Sequence, residues 1–215
     1  MSLKLYFHPL SSFCMKVLTA LYENDTPFEP CMVDFMNEEA SAEFRKMWPI
    51  RQFPVLRDEA RGQTVPESSI IIEYLAEHFP GRTPLLPSGR EPALETRFYD
   101  RFFDLHVHVP MQKVVTDRLR PAGQNDALGV EHARQKLRTA YDVLEDRLKG
   151  RTWAAGNAYT MADCAASPAL FYGDMAVPIG EGYPVLTAYR DRLMNRPSFA
   201  RALEEAKPYF DMVPK

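Results

Sequence analysis

The chain has 215 residues, of which 46% are hydrophobic and 26% charged. That balance belongs to one large folded domain or two small ones, and excludes a disordered tail or a fibrous repeat. A formal net charge of −3 offers no general positive field for nucleic acid or an anionic membrane surface.

Leu3-Lys4-Leu5-Tyr6-Phe7 reads as a short strand stopped by His8-Pro9. Ser11 and Ser12 then supply the side-chain oxygens that suit a helix N-cap. Phe13, Val17, Leu18 and Leu21 follow at helical spacing. Asn24-Asp25-Thr26-Pro27 breaks that helix, and residues 28–35 read as a second strand. The resulting β-α-β unit implies parallel strands. Residues 38–47 suggest a short helix. Gln52-Phe53-Pro54-Val55-Leu56 reads as a strand whose proline must sit at its start or at a bulge. Arg61-Gly62-Gln63 marks a hairpin turn with Thr64-Val65 returning, and Ile70, Ile71, Tyr74, Leu75 and Phe79 form an apolar helical face.

Residues 80–89 contain three prolines and two glycines and read as a linker. Beyond it the pattern is helical: a tract over 91–120 bent or ended at Pro110, a second over 128–149, and further helices near 184–195 and 198–206. Thr160-Met161-Ala162-Asp163 resembles a capping box with Asp in place of Glu or Gln. The expected division is residues 1–80, a linker over 81–90, and an all-helical domain over 91–215. The first eighty residues carry a net charge of −5, so an anionic ligand there needs local donors.

No apolar run approaches the ~18 residues that suggest a membrane span, and the first residues lack the pattern of a secretory signal. Cys14, Cys31 and Cys164 are odd in number and lack metal-ligand pairing, which suits a reducing cytoplasm.

Three short stretches carry chemistry. Ser11 and Ser12 open a helix, where unpaired N–H groups stabilise an anion and a hydroxyl can hydrogen-bond a thiolate; taken alone, the stretch is better explained by capping. Phe53-Pro54 leads a strand: a cis bond there would turn the Phe53 backbone toward an extended peptide, whereas a trans bond would leave an ordinary strand edge. Glu67-Ser68 opens another helix, where an acid and a hydroxyl suit the two ends of an amino acid but also simply complement the helix dipole.

In combination, Leu5-Tyr6-Phe7 leading to Ser11-Ser12, then Gln52-Phe53-Pro54-Val55-Leu56, then Glu67-Ser68-Ser69-Ile70-Ile71-Ile72-Glu73-Tyr74-Leu75, resemble the cytosolic glutathione transferase family, of a bacterial serine-using type with some zeta-like character. The resemblance implies an α/β thioredoxin-like N-terminal domain and an all-α C-terminal domain. It implies glutathione as co-substrate without a metal, Ser11 or next Ser12 at the sulfur, Phe53 bonding the cysteinyl backbone with Pro54 cis, Glu67 and Ser68 at the γ-glutamyl end, and Gln52 near the glycyl end. By the same analogy a small electrophile lies between the domains near Leu10, His106 and Met111.

Tyr6, Cys14 and Asp163 are read as structural: a strand aromatic, a buried thiol and a helix cap. The resemblance implies a cytoplasmic homodimer with neither a nucleic-acid nor a membrane partner. Two further readings stand beside the transferase: a glutathione-dependent cis-trans isomerase of the zeta, maleylacetoacetate isomerase-like type, and a transferase fold kept as a binding module.

Overall fold

The computed structural model describes residues 2–34 and 37–214. The chain divides into two compact units, Met1–Leu85 with Pro197–Tyr209, and Leu86–Arg196 with Phe210–Lys215. The first is a mixed sheet with helices, thioredoxin-like; the C-terminal domain is all α-helical.

In the first unit the sheet order is β2-β1-β3-β4, with β1 at Leu3–Phe7, β2 at Glu29–Met32, β3 at Val55–Asp58 and β4 at Gln63–Pro66. The β1–β2 pair is parallel, as the β-α-β reading requires, and β3 runs antiparallel to both β1 and β4. Leu3, Leu5 and Phe7 alternate into the core while Lys4 and Tyr6 are half-buried. β2 is shorter than expected. Its residues are mostly exposed, so little burial draws neighbouring residues into the ladder, and Phe35 lies outside the described residues. Gln52, Phe53 and Pro54 precede β3 instead of joining it; Pro54 has no N–H for the ladder.

Helix α1 (Ser12–Glu23) is buried on nearly every side, Cys14 through Leu21 without a break. A helix in that position must satisfy its polar side chains internally. Thr19 donates to the Met15 carbonyl at 2.7 Å. Glu23 accepts from the Ser198 and Thr83 hydroxyls at 2.8 and 3.0 Å. Ser198 belongs to α9 (Pro197–Ala206), which packs along α1 and lays Arg201 over the Tyr22 ring at 3.9 Å. The last helix of the chain therefore completes the core of the first unit. Helices α2 (Glu38–Met47) and α3 (Ser68–His78) also belong to that unit.

The β3–β4 hairpin is closed by Asp58, which is fully buried. It accepts from the Ala60 and Arg61 N–H groups, the Arg61 guanidinium and the Tyr74 hydroxyl at 2.9–3.2 Å. Burial pushes its carboxyl up, but those donors outweigh it and hold the group below the ordinary carboxylate range.

The second unit begins with α4 (Arg90–Phe102), a π-helical segment (Phe103–His108) and α5 (Val109–Asp117). The tract expected over 91–120, bent or ended at Pro110, is instead interrupted just before that proline, which lies in the first turn of α5. Pro110 supplies no N–H to the carbonyl one turn earlier, and the chain before it widens, with Val109 N–H reaching back to the Asp104 carbonyl. Helix α6 (Ala127–Arg147) and the buried α7 (Met161–Ala176) follow, then α8 (Pro184–Met194). Gly173 lets α7 approach α6: a Cβ there would stand 2.9 Å from the Tyr141 hydroxyl oxygen. The Thr160–Asp163 capping box is present in reciprocal form. Asp163 additionally accepts from Ala154 N–H at 2.9 Å and from the Tyr189 hydroxyl at 2.7 Å, binding three segments to one carboxylate.

Asp163→Ala leaves buried donors without an acceptor and is expected to cost at least about 2 kcal/mol in urea unfolding, with Asp163→Asn intermediate. Asp58 titrates lower in the folded chain than in the unfolded one. Its stabilisation is therefore complete above the ordinary carboxylate range and lost as pH falls through the folded value. Scanning calorimetry should show a shallower decline of Tm below about pH 4 in Asp58→Asn than in the parent protein.

Candidate functional site

Ser11 is the N-cap of α1, its backbone extended (φ −74°, ψ 120°) and its Oγ accepting from the Cys14 N–H at 3.3 Å. A hydroxyl that accepts in this way still has its own proton to donate. Capping and thiolate binding therefore do not compete for Ser11. Its side chain is half-buried, whereas Ser12, the first residue of α1, is 6% exposed. Cys14 is fully buried, and burial pushes its thiol up to about 12 against hydrogen bonds with Ser11 and the His8 backbone. It is a packed thiol and not a nucleophile.

The Phe53–Pro54 peptide bond is cis. Phe53 is half-buried, Pro54 buried and Gln52 exposed. Glu67, at the N-cap of α3, takes φ 70° and ψ 116° and is exposed. A side chain other than glycine in that region costs about 1–3 kcal/mol and concentrates at ligand-binding positions. Glu67 makes no capping bond with its side chain, so its carboxylate is not spent on the helix. Ser68 follows, 6% exposed, as the first residue of α3.

Two contacts bring these stretches together within the first unit. The fully buried Lys16 of α1 donates from Nζ to Ser69 Oγ at 2.9 Å, tying the start of α1 to the first turn of α3. The His8 ring stacks on Phe53, centroids 6.2 Å apart and planes 23° from parallel, tying the turn before Ser11 to the Phe53–Pro54 loop. His8 also meets the edge of Tyr209 at 5.7 Å. Sequence reasoning passed over Lys16, His8 and Tyr209. Lys16 sits in an apolar helix, where a lone charge reads as solvent-exposed, and His8-Pro9 reads only as a strand stop.

Tyr6 packs beside Phe44, ring centroids 6.1 Å apart, in a cluster with Val33 and Val55. Burial raises its phenol above the ordinary value. Leu10 is half-buried next to Ser11. In the second unit Met111 is 4% exposed, while His106 is exposed, packs against Phe102 at 5.1 Å and lines a groove with Val109 and His132. Among the described residues no cluster of His, Cys, Asp and Glu is arranged to hold a metal ion, and no helix is long and apolar enough to cross a membrane.

Residues 5–83 match the glutathione S-transferase N-terminal domain and residues 102–197 the glutathione S-transferase C-terminal domain. A probable glutathione S-transferase of Oryza sativa subsp. japonica, GSTF1, is 30% identical over 196 residues, which cover 85% of this chain and 87% of that protein. FtsZ-localized protein A of Caulobacter vibrioides (strain NA1000 / CB15N) is 31% identical over 221 residues, covering 95% and 92%. The crystal structure of a Methylobacterium radiotolerans glutathione S-transferase in complex with glutathione sulfonate superposes with a TM-score of 0.79 at 28% identity, covering 93% of each chain. With both domains matched and these relatives aligned over most of their length, the chain belongs to the glutathione S-transferase family.

Proposed function

We propose that the protein is a glutathione transferase that binds glutathione as its thiolate for attack on a small electrophile. The observation that carries this reading is the convergence of Ser11, the cis Phe53–Pro54 loop and the Glu67-Ser68 helix start through the Lys16–Ser69 and His8–Phe53 contacts. In this reading Ser68 and the N-terminus of α3 receive the γ-glutamyl carboxylate, and Glu67 its ammonium. Phe53 pairs with the cysteinyl backbone, and Gln52 approaches the glycyl end. The sulfur lies at the N-terminus of α1, where the helix dipole and the Ser11 hydroxyl favour the anion. Ser11 is preferred to Ser12 because it is the less buried of the two.

Deprotonation releases the thiol proton to solvent. The sulfur lone pair then forms a bond to the electrophilic carbon, and either a leaving group departs with its bonding pair or the adduct takes up a proton. Leu10, His106 and Met111 remain the residues proposed to shape the electrophile site. The likeness to FtsZ-localized protein A supports a second reading, a binding module on the same fold. Turnover of a model electrophile with glutathione decides between the two.

A homodimer is proposed as the working unit. Leu94, Phe98, Leu105 and Val109, spaced from α4 through the π segment into α5, are each 43–61% exposed and offer apolar surface for it.

Ser11→Ala is expected to raise the apparent pKa of the bound thiol by one to two units, the worth of about 1.5–3 kcal/mol for a hydrogen bond to a charged group. The pH–rate profile with 1-chloro-2,4-dinitrobenzene reads this directly, and an unchanged profile removes Ser11 from the mechanism. Sedimentation at micromolar concentration should give twice the 24.6 kDa chain mass, with Phe98→Glu displaced toward the monomer.

A further inference from the structure

His8 lies three residues before Ser11, just after β1, and bonds twice to the turn that presents the hydroxyl. Its carbonyl accepts the Ser11 N–H at 3.0 Å. Its Nδ1 accepts the Leu10 N–H at 3.2 Å. The spacing is that of an Asx-turn, in which an Asn or Asp oxygen takes the N–H two residues on. The ring lies between Phe53 and the edge of Tyr209. One side chain therefore joins the turn before the thiolate site, the loop that holds the cysteinyl backbone, and the C-terminal 3₁₀ turn (Lys207–Met212).

We propose that His8 is a positioning residue of the glutathione site, its neutral imidazole holding the Leu10–Ser11 turn through Nδ1 while its ring braces Phe53. This rests on the glutathione-binding reading above. The geometry dictates the tautomer: a nitrogen that accepts carries no proton, so the neutral ring is protonated at Nε2. Protonation of Nδ1 would set two donors against each other and release the turn. Burial favours the neutral ring, lowering its pKa below the ordinary histidine value, and the Asp34 carboxylate opposes this. Among the described residues, Tyr209 is the other titratable group that meets the ring; Phe53 and Leu10 bring no charge. The turn is therefore intact at neutral pH and loosens in acid, giving glutathione binding an acidic limb separate from ionisation of the thiol.

Nitrogen-15 long-range NMR of the folded protein reads the tautomer without reference to activity. The expected result is an unprotonated Nδ1 at pH 7 and a midpoint below about 6.5. A protonated Nδ1 at pH 7 overturns the proposal. In parallel, calorimetric titration with glutathione and the pH profile of kcat/KM are compared in His8→Ala and His8→Asn. Loss of one positioning hydrogen bond should weaken glutathione binding about tenfold in His8→Ala. His8→Asn restores an acceptor that cannot titrate but not the ring, so it should recover the share of affinity that the turn hydrogen bond supplies and lose the acidic limb. Equal affinity in His8→Ala and the parent protein, or no recovery in a folded His8→Asn, overturns the proposal. If His8→Ala does not fold, the tautomer and the His8→Asn profile still decide. Failure of the parent protein to bind glutathione refutes the underlying reading instead, and leaves the measured tautomer as a separate result.

Discussion

The N–H groups at the start of α1 set the terms for the first unit. A helix buried along almost its whole length cannot hand these groups to water, so the chain must supply acceptors there. Ser11 takes the Cys14 N–H, His8 takes those of Leu10 and Ser11, and the end of the helix keeps its partial positive charge. The proposed thiolate position lies where this buried helix begins.

The same burial explains the polar residues along α1. Lys16, Thr19 and Glu23 are almost inaccessible, and each has become a fastening: Lys16 to α3, Thr19 to its own helix, Glu23 to α9 and to Thr83. Charged groups sealed from water persist only when hydrogen-bonded. Packing and site geometry are consequently not separable in this unit. The contact that satisfies Lys16 also fixes Ser69, one residue past the serine assigned to the γ-glutamyl end.

Local chemistry carried much of this into the sequence. The β-α-β order, the existence of α3, the hairpin turn at Gly62 and the Thr160–Asp163 cap all rest on neighbours a few residues apart, and spacing and residue type suffice to read them. The face read for α3 is right only in part, since Ile70 is exposed and Ile72 buried. What escaped depends on distant partners. The role of His8 is decided by Phe53 and Tyr209, and the attachment of α9 by Glu23 and Tyr22. The π segment before Pro110 looks in the sequence like a continuous amphipathic helix, because widening a turn alters hydrogen-bond register without changing composition. At the candidate site the helix starts were legible. The contacts that gather them were not, since a buried lysine and a stacked histidine look like surface residues until the fold closes over them.

The return of α9 to the first unit bears on how the chain is made. Residues emerging first from the ribosome include α1 and the whole sheet, yet the helix that covers α1 is translated after the intervening helical unit, well over a hundred residues later. The second unit's helices α4 to α8 are contiguous and can close as they appear, whereas the first must wait with an apolar helix face uncovered. Synthesis order therefore separates α1 from its cover: a ribosome stalled before Pro197 would hold α1 complete and α9 unmade.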